Sequence, residues 1–126
     1  MSMFFRKVRK GFTLVEIMIV VLIIGILLAI AVPNFIRARE SSRAKSCVSN
    51  LKQIDSAKEQ WAMDNKKTSA DTPATTDLYG TTKYVKSTPS CPASGTYTIA
   101  AVGTAPSCSV GNNGTATDAS DDHILP

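Results

Sequence analysis

The sequence predicts an α+β fold. A long N-terminal helix, hydrophobic and then amphipathic, packs on a small antiparallel β-sheet of two to three strands. Three observations carry this. Residues 17–32 (IMIVVLIIGILLAIAV) form a 16-residue run without a polar side chain. Apolar residues then recur at helical spacing as far as Ala62. Residues 66–126 hold only seven Leu, Ile, Val or Phe among 61, but twelve Thr and seven Ser. That part can bury little and reads as short strands and turns. With 126 residues, the chain has room for one small domain and an anchor. A doubly wound nucleotide enzyme and a barrel enzyme are excluded by size.

The chain opens with Arg6, Lys7, Arg9 and Lys10, with no acid in the first ten residues. From Gly11 onward ten basic residues face ten acidic ones, so the net +4 belongs to the start. Residues 12–32 are 21 residues long, roughly 30 Å as a helix, enough to cross a hydrocarbon core. A cleavable secretory signal has a shorter apolar core and then a small-residue cleavage site. Ala29-Ile30-Ala31 imitates such a site only superficially, and the run reads as a retained anchor. Charge does not orient the span, because Arg37, Arg39, Arg43 and Lys45 follow it closely. Cysteine usage does favour an orientation. Cys91 and Cys108, in a Thr/Ser-rich region, look like a hairpin-closing disulfide pair, which places the C-terminal part outside the cytoplasm. Glu16 lies inside the apolar span, where an acid is costly and points to function by default. Gly25 and Pro33 are helix breakers, and Pro33 is expected to kink or interrupt the helix.

Beyond Pro33 one apolar face appears. Ala44, Cys47, Val48, Leu51, Ile54 and Ala62 fall within about 60° of Leu51 at helical spacing, with Trp61 at the edge. This face is expected to cover the sheet, with Trp61 as its largest anchor. Arg39, Arg43, Lys45, Asp55 and Glu59 form the opposite, solvated face. The helix ends in the polar run Asp64-Asn65-Lys66-Lys67, and residues 67–82 read as a loop. Residues 83–85 form a candidate short strand, 96–102 the clearest strand and 108–110 its partner. A Cys91 to Cys108 bond closes an 18-residue segment, worth roughly 3 kcal/mol in a thin core. Cys47 is then a buried thiol, although its pairing with Cys91 or Cys108 is the open alternative. Zinc is not expected, because the spacings match no finger and His123 is the sole histidine. Asn113-Gly114-Thr115 reads as a turn.

Lys10-Gly11-Phe12-Thr13-Leu14-Val15-Glu16, with the basic leader before it and the apolar run after it, resembles the prepilin signal of type IV pilins and type II secretion pseudopilins. The resemblance covers roughly residues 1–62. It implies a pilin-like fold divided as leader peptide 1–11, transmembrane and filament-core helix 12–33, amphipathic helix 34–65, and a small β-rich C-terminal domain 66–126. It implies that a prepilin peptidase cuts between Gly11 and Phe12, N-methylates Phe12 and leaves a 115-residue subunit. The basic leader stays cytoplasmic. Glu16 then takes the new amine of a neighbouring subunit. A buried charge is costly alone and tolerable when paired, so the pair acts as a register device. Most cohesion is assigned to apolar helix packing. The segment from Gly25 to Pro33 is one that can unwind on assembly. Cys91-Pro92, Gly95, Tyr97 and Cys108 resemble an element of small bacterial pilin-like proteins. Calcium in a C-terminal loop of major pseudopilins suggests Asp118, Asp121 and Asp122 as ligands, although their run is incomplete.

The implied function is a structural filament subunit, held in the bacterial inner membrane with its C-terminal domain outside the cytoplasm. The alternative is the major pseudopilin of a type II secretion system driving protein export. The Tyr-Pro-rich stretch expected of a typical major pseudopilin is missing. Implied partners are copies of the chain, the prepilin peptidase, an inner-membrane assembly platform and, before assembly, the lipid bilayer. No cofactor other than calcium is implied. An enzyme is not expected, with one His, no phosphate loop and few apolar residues to build a pocket. A nucleic-acid partner is not expected either, since basic residues beyond the leader are interspersed with acids. Phe12, Phe35 and Trp61, the aromatics of the mature helix, are too few for electron conduction.

Overall fold

The computed structural model describes residues 10–111 and 122–126. The elements run α1 (Leu14–Asp64), α2 (Thr75–Leu78), β1 (Tyr97–Thr98) and β2 (Ser107–Cys108). The chain divides into two compact units, Met1–Ile36 and Arg37–Pro126.

In the first unit, α1 begins with a capping box. Thr13 is the N-cap residue and its hydroxyl accepts from the Glu16 N–H at 3.2 Å. The Glu16 carboxylate reaches back to the Thr13 N–H at 2.8 Å. Two N–H groups that the first helical turn leaves without partners are thereby satisfied. The helix is long and apolar enough to cross a membrane, with a mean hydropathy of 3.2 over its best window. Its side chains from Leu14 to Ile36, and Phe12 before it, are exposed, with no covering layer among the described residues. Pro33 does not interrupt α1, contrary to the breaker reading, and Gly25 lies within it as well. Proline removes a single backbone donor. Formed turns on both sides carry the helix past one missing bond.

The second unit has the compact core. Along α1 the buried residues are Ala44, Cys47, Leu51, Ile54, Ala57, Lys58, Trp61 and Ala62. Ile54, Ala57, Trp61 and Ala62 pack with Leu78, Val85 and Ile99. Cys47 and Leu51 pack with Cys91 and Cys108 in a second cluster. The helix ends in a Schellman arrangement: Lys67 N–H bonds the Ala62 carbonyl at 2.8 Å, Lys66 N–H bonds that of Met63 at 3.4 Å, and Lys66 takes a φ of 52°. The Lys67 ammonium then lies 5.9 Å from the centre of the Trp61 ring.

The segment after α1 is more ordered than a plain loop. Asp71 accepts from the N–H and hydroxyl of Thr68 at 2.7 and 3.0 Å. Asp77 accepts from the Ala74 N–H at 3.1 Å and so caps the short α2. Leu78, fully buried, ties α2 to the core.

Among the described residues the sheet is two-stranded and antiparallel, with Tyr97 opposite Cys108 and Thr98 opposite Ser107. The expected strand over 83–85 is reduced to one parallel bridge between Tyr79 and Val85. The expected strand over 96–102 keeps two residues. Ala100 has a φ of 58°, which turns the backbone out of the ladder. Val102 and Gly103 then donate to the carbonyls of Asp71 and Ser69 at 2.9 and 2.8 Å. The same donors cannot serve both the loop and a longer β1. A Cβ at Gly103 would sit 2.9 Å from that of Ser69, so this close approach needs glycine.

Lys58 locks the same region to the helix. It is fully buried, and its ammonium donates to the carbonyls of Ala101, at 2.9 Å, and Thr104. Asp55 lies 3.4 Å from it.

Candidate functional site

The N-terminal constellation is simple in geometry. Residues 10–13 precede α1 and are exposed, so the Gly11–Phe12 peptide bond lies in non-helical, accessible chain. Phe12 is 86% exposed. Among the described residues no atom lies within 4 Å of a Cβ built on Gly11, so their packing does not demand glycine there. The same holds at Gly25. Glu16 sits in the first turn of α1, and both side-chain bonds it accepts from Thr13 fall on Oε2, at 2.8 and 3.0 Å. A carboxylate has about four acceptor positions, so these bonds leave capacity for a further donor. Lys10 is exposed, while Arg6, Lys7 and Arg9 lie outside the described residues. Thr13 and Glu16 stand in the sequence as a Thr-x-x-Glu capping box, a local signal for the start of α1.

A second constellation lies in the C-terminal unit. Cys91 and Cys108 are brought together as the sequence suggests, but Cys47 and His123 join them. The four ligand-type atoms all lie within 4.8 Å of one another. The three cysteines are free and buried, so the expected bond from Cys91 to Cys108 is not formed here. The reason they converge is local. Cys47 is one helical turn before Leu51 on the buried stripe of α1. Cys91 follows Ser90, whose carbonyl accepts from the Asn50 amide at 3.1 Å. Cys108 is set by its register with Tyr97. His123 is held by its N–H to the Gly111 carbonyl at 3.0 Å.

The environments of the thiols differ. Burial pushes the Cys47 thiol up to about 12, against the pull of a hydrogen bond from Tyr97. Burial opposes ionisation of Cys91 as well, but the N–H groups of Ala93 and Gly95 and the sulfurs of Cys108 and Cys47 outweigh it and bring the thiol below its ordinary value. Tyr97 is raised by burial and then by Cys47. The Asn50 amide donates to the Tyr97 oxygen at 3.0 Å.

Gly95 makes this packing feasible. A Cβ there would stand 2.6 Å from Cys108 Sγ, 2.7 Å from Val110 Cγ2 and 3.2 Å from Cys91 Sγ. Gly95→Ala is expected to destabilise the chain by about 1–3 kcal/mol, as overpacking does. Urea unfolding of the detergent-solubilised chain, followed by fluorescence of Trp61, measures this. An effect below about 0.5 kcal/mol, as at an unconstrained surface site, would contradict the close approach.

Of the calcium candidates, Asp118 and Asp121 lie outside the described residues, as does Asn113-Gly114-Thr115. Asp122 is half-buried, and its Oδ1 has no hydrogen-bond partner among the described residues.

Comparison with known proteins bears on the N-terminal constellation. The family model described as the prokaryotic N-terminal methylation motif matches residues 6–32. The type IV major pilin protein PilA of Myxococcus xanthus is 47% identical over 57 residues, which are 45% of this chain and 26% of the pilin. The type II secretion system core protein G of Klebsiella michiganensis is 28% identical over 110 residues, 78% of each chain. The core protein G of Escherichia coli K12 is 37% identical over 57 residues, 45% of this chain and 39% of its own. Much of the similarity is thus to part of a relative, and the chain spans about a quarter of that pilin's length. No solved structure matches the chain.

Proposed function

We propose that this chain, whose N-terminal part is that of the type IV pilin and type II secretion pseudopilin family, is a prepilin: the structural subunit of a type IV pilus-like filament. It is held in the bacterial inner membrane by α1 and cut between Gly11 and Phe12. It is then N-methylated at Phe12 and polymerised through the apolar helix. The observation that carries this reading is the juxtaposition of an exposed, non-helical Gly11-Phe12 with Glu16 in the first turn of an uncovered apolar helix. The peptidase needs a small residue and reachable backbone at the cut. Gly11 supplies both, and the fold has no use of its own for glycine at that position.

Cleavage creates an amine at Phe12 beside the positive N-terminal end of α1. In a packed filament such a charge needs a carboxylate, and Glu16 of a neighbouring copy supplies it. The same subunit would meet a prepilin peptidase and an inner-membrane assembly platform, and lipid before assembly. Its role is structural rather than catalytic. Gly25 is free of packing demands from its own chain, so the stretch from Gly25 to Pro33 can loosen when neighbours take over its contacts.

The alternative, a major pseudopilin of a type II secretion system driving export, is favoured by one observation. Similarity to a core protein G extends over 78% of both chains, well past the shared signal. Mass spectrometry of the subunit purified from filaments tests the common part. A chain beginning at methylated Phe12 is expected. A chain retaining residues 1–11 would overturn the processing. Subunits sheared from the cell surface support a pilus, and subunits found solely in the periplasm and membrane support a pseudopilus.

A further inference from the structure

We propose that Cys47, Cys91, Cys108 and His123 form a structural zinc site that closes the C-terminal unit. This is independent of the filament reading, and neither depends on the other.

The geometry suits one ion. Tetrahedral zinc, with Zn–S near 2.3 Å and Zn–N near 2.0–2.1 Å, places sulfur and nitrogen ligands about 3.6 Å apart and two sulfurs about 3.8 Å apart. Cys91 Sγ and His123 Nδ1 are 3.7 Å apart, and all four ligand atoms lie within 4.8 Å of one another. Small side-chain adjustments bring such a set onto a single centre. Ligands of a polynuclear iron–sulfur cluster are attached to different irons and stand further apart. Calcium and magnesium take oxygen ligands, so a set of three sulfurs and one imidazole nitrogen excludes them and selects a borderline-soft ion. Cys₃His is a closed structural set, with no position left for a substrate.

The burial fits too. Cys47, His123, Cys108 and Cys91 are 0, 3, 6 and 7% exposed. A buried imidazole needs strong partners, and the Cys91 thiol at 3.7 Å is a weak one. Among the described residues, a disulfide between two of the cysteines would leave the His123 ring without a strong side-chain partner. A zinc ion uses all four. The Asn50 amide bonds the Ser90 carbonyl next to Cys91, at 3.1 Å, and the oxygen of Tyr97, the strand partner of Cys108, at 3.0 Å. Hydrogen bonds around metal ligands hold them in place. Gly95 is bare where a Cβ would intrude on two of the sulfurs.

The ligands come from four separate parts of the chain: α1, the turn before β1, strand β2 and the C-terminal segment. Cys91 is fixed by the Asn50 amide on the Ser90 carbonyl and by its own carbonyl, which accepts from the Ser94 N–H at 3.0 Å, and His123 by its own N–H. A metal joining all four couples folding to binding, as small domains with little core require.

The test uses the full chain, extracted from membranes in detergent without reductant. Zinc is counted by plasma mass spectrometry, and cysteine oxidation is read from the intact mass. The expected result is one zinc per chain, three reduced cysteines that react with thiol reagents solely after chelation, and a Tm lowered by roughly 10 °C or more on chelation. Cobalt, added in place of zinc, should give thiolate-to-metal charge transfer and the intense d–d bands of a tetrahedral site. This spectrum requires no mutant to fold. His123→Ala and Cys47→Ser should each abolish stoichiometric zinc, while Lys52→Ala retains it. An intact mass two hydrogens short, mapped to a Cys91 to Cys108 disulfide, would overturn the proposal. So would a fully reduced chain that takes up neither zinc nor cobalt.

Discussion

Glu16→Ala is expected to leave the chain cleaved after Gly11 and inserted in the membrane, while its incorporation into filaments falls at least about tenfold. On the proposed reading the cut falls after Gly11, before the helix begins, so loss of a side chain inside α1 would not touch the scissile bond. Packing is another matter. On that reading, with Glu16 gone every amine at Phe12 would be buried among apolar helices without a partner. Glu16 has a second role, because its carboxylate also holds the N-terminal turn through Thr13. Glu16→Gln separates the two. Its amide oxygen can still accept from the Thr13 N–H, but it carries no charge. If charge pairing is the role, the Gln variant incorporates poorly as well. If Gln restores wild-type yield, the residue serves as a cap and the pairing reading is wrong. The measurement is the ratio of subunit in sheared, sedimented filaments to subunit in the membrane pool, with processing followed by mass.

Lys58→Met should destabilise the C-terminal unit by about 2–4 kcal/mol. Met keeps the length and apolar stem of lysine but has no donors. Two loop carbonyls, Ala101 and Thr104, then lose a charge-assisted bond while remaining tied down by the fold. Apolar replacement of a buried polar group is nearly neutral when both partners are replaced together. Here the acceptors are backbone and cannot be removed. Asp55→Asn should cost much less, since the Asp55 side chain is 38% exposed and water can replace its share of the interaction. Urea unfolding followed by Trp61 fluorescence distinguishes these outcomes. A Lys58→Met variant as stable as the parent would show that the two carbonyls are readily hydrated and that the lysine is no staple.

Lys58 also shows where sequence reading stops. It lies seven residues after Leu51 and hence at the centre of the apolar stripe. A charged residue there reads as solvated unless the acceptors that hold it are known, and these lie more than 40 residues away. Cys47, Leu51, Ile54, Trp61 and Ala62 were legible because helical spacing is local. The Gly11, Phe12 and Glu16 arrangement was legible for the same reason: six consecutive residues contain it. The four-ligand cluster was not. Its members are spread from position 47 to 123, and spacing along the chain says nothing about groups that a helix, a turn, a strand and a tail bring together. The single histidine, counted against a metal, sits among all three sulfurs. The pattern over 96–102 reads as a longer strand than the two residues of β1 for a related reason. Its alternation is strand-like, but residues 69–71 compete for its donors and Ala100 turns away.

The outward-facing side chains of residues 14–36 have a thermodynamic consequence for assembly. In water this surface would drive association strongly. In the bilayer it is already among hydrocarbon, and lipid tails are as apolar as leucine. Moving a subunit from one such phase to the other therefore changes the free energy of its apolar surface little, and partition between them is close to balanced. The balance is then tipped by the few polar groups that are poorly accommodated in lipid: Glu16 and, on the proposed reading, the amine that cleavage creates at Phe12. On the proposed reading, a filament built this way would exchange subunits with a membrane reservoir at little net cost, and modest mechanical work would be enough to shift that near-even partition.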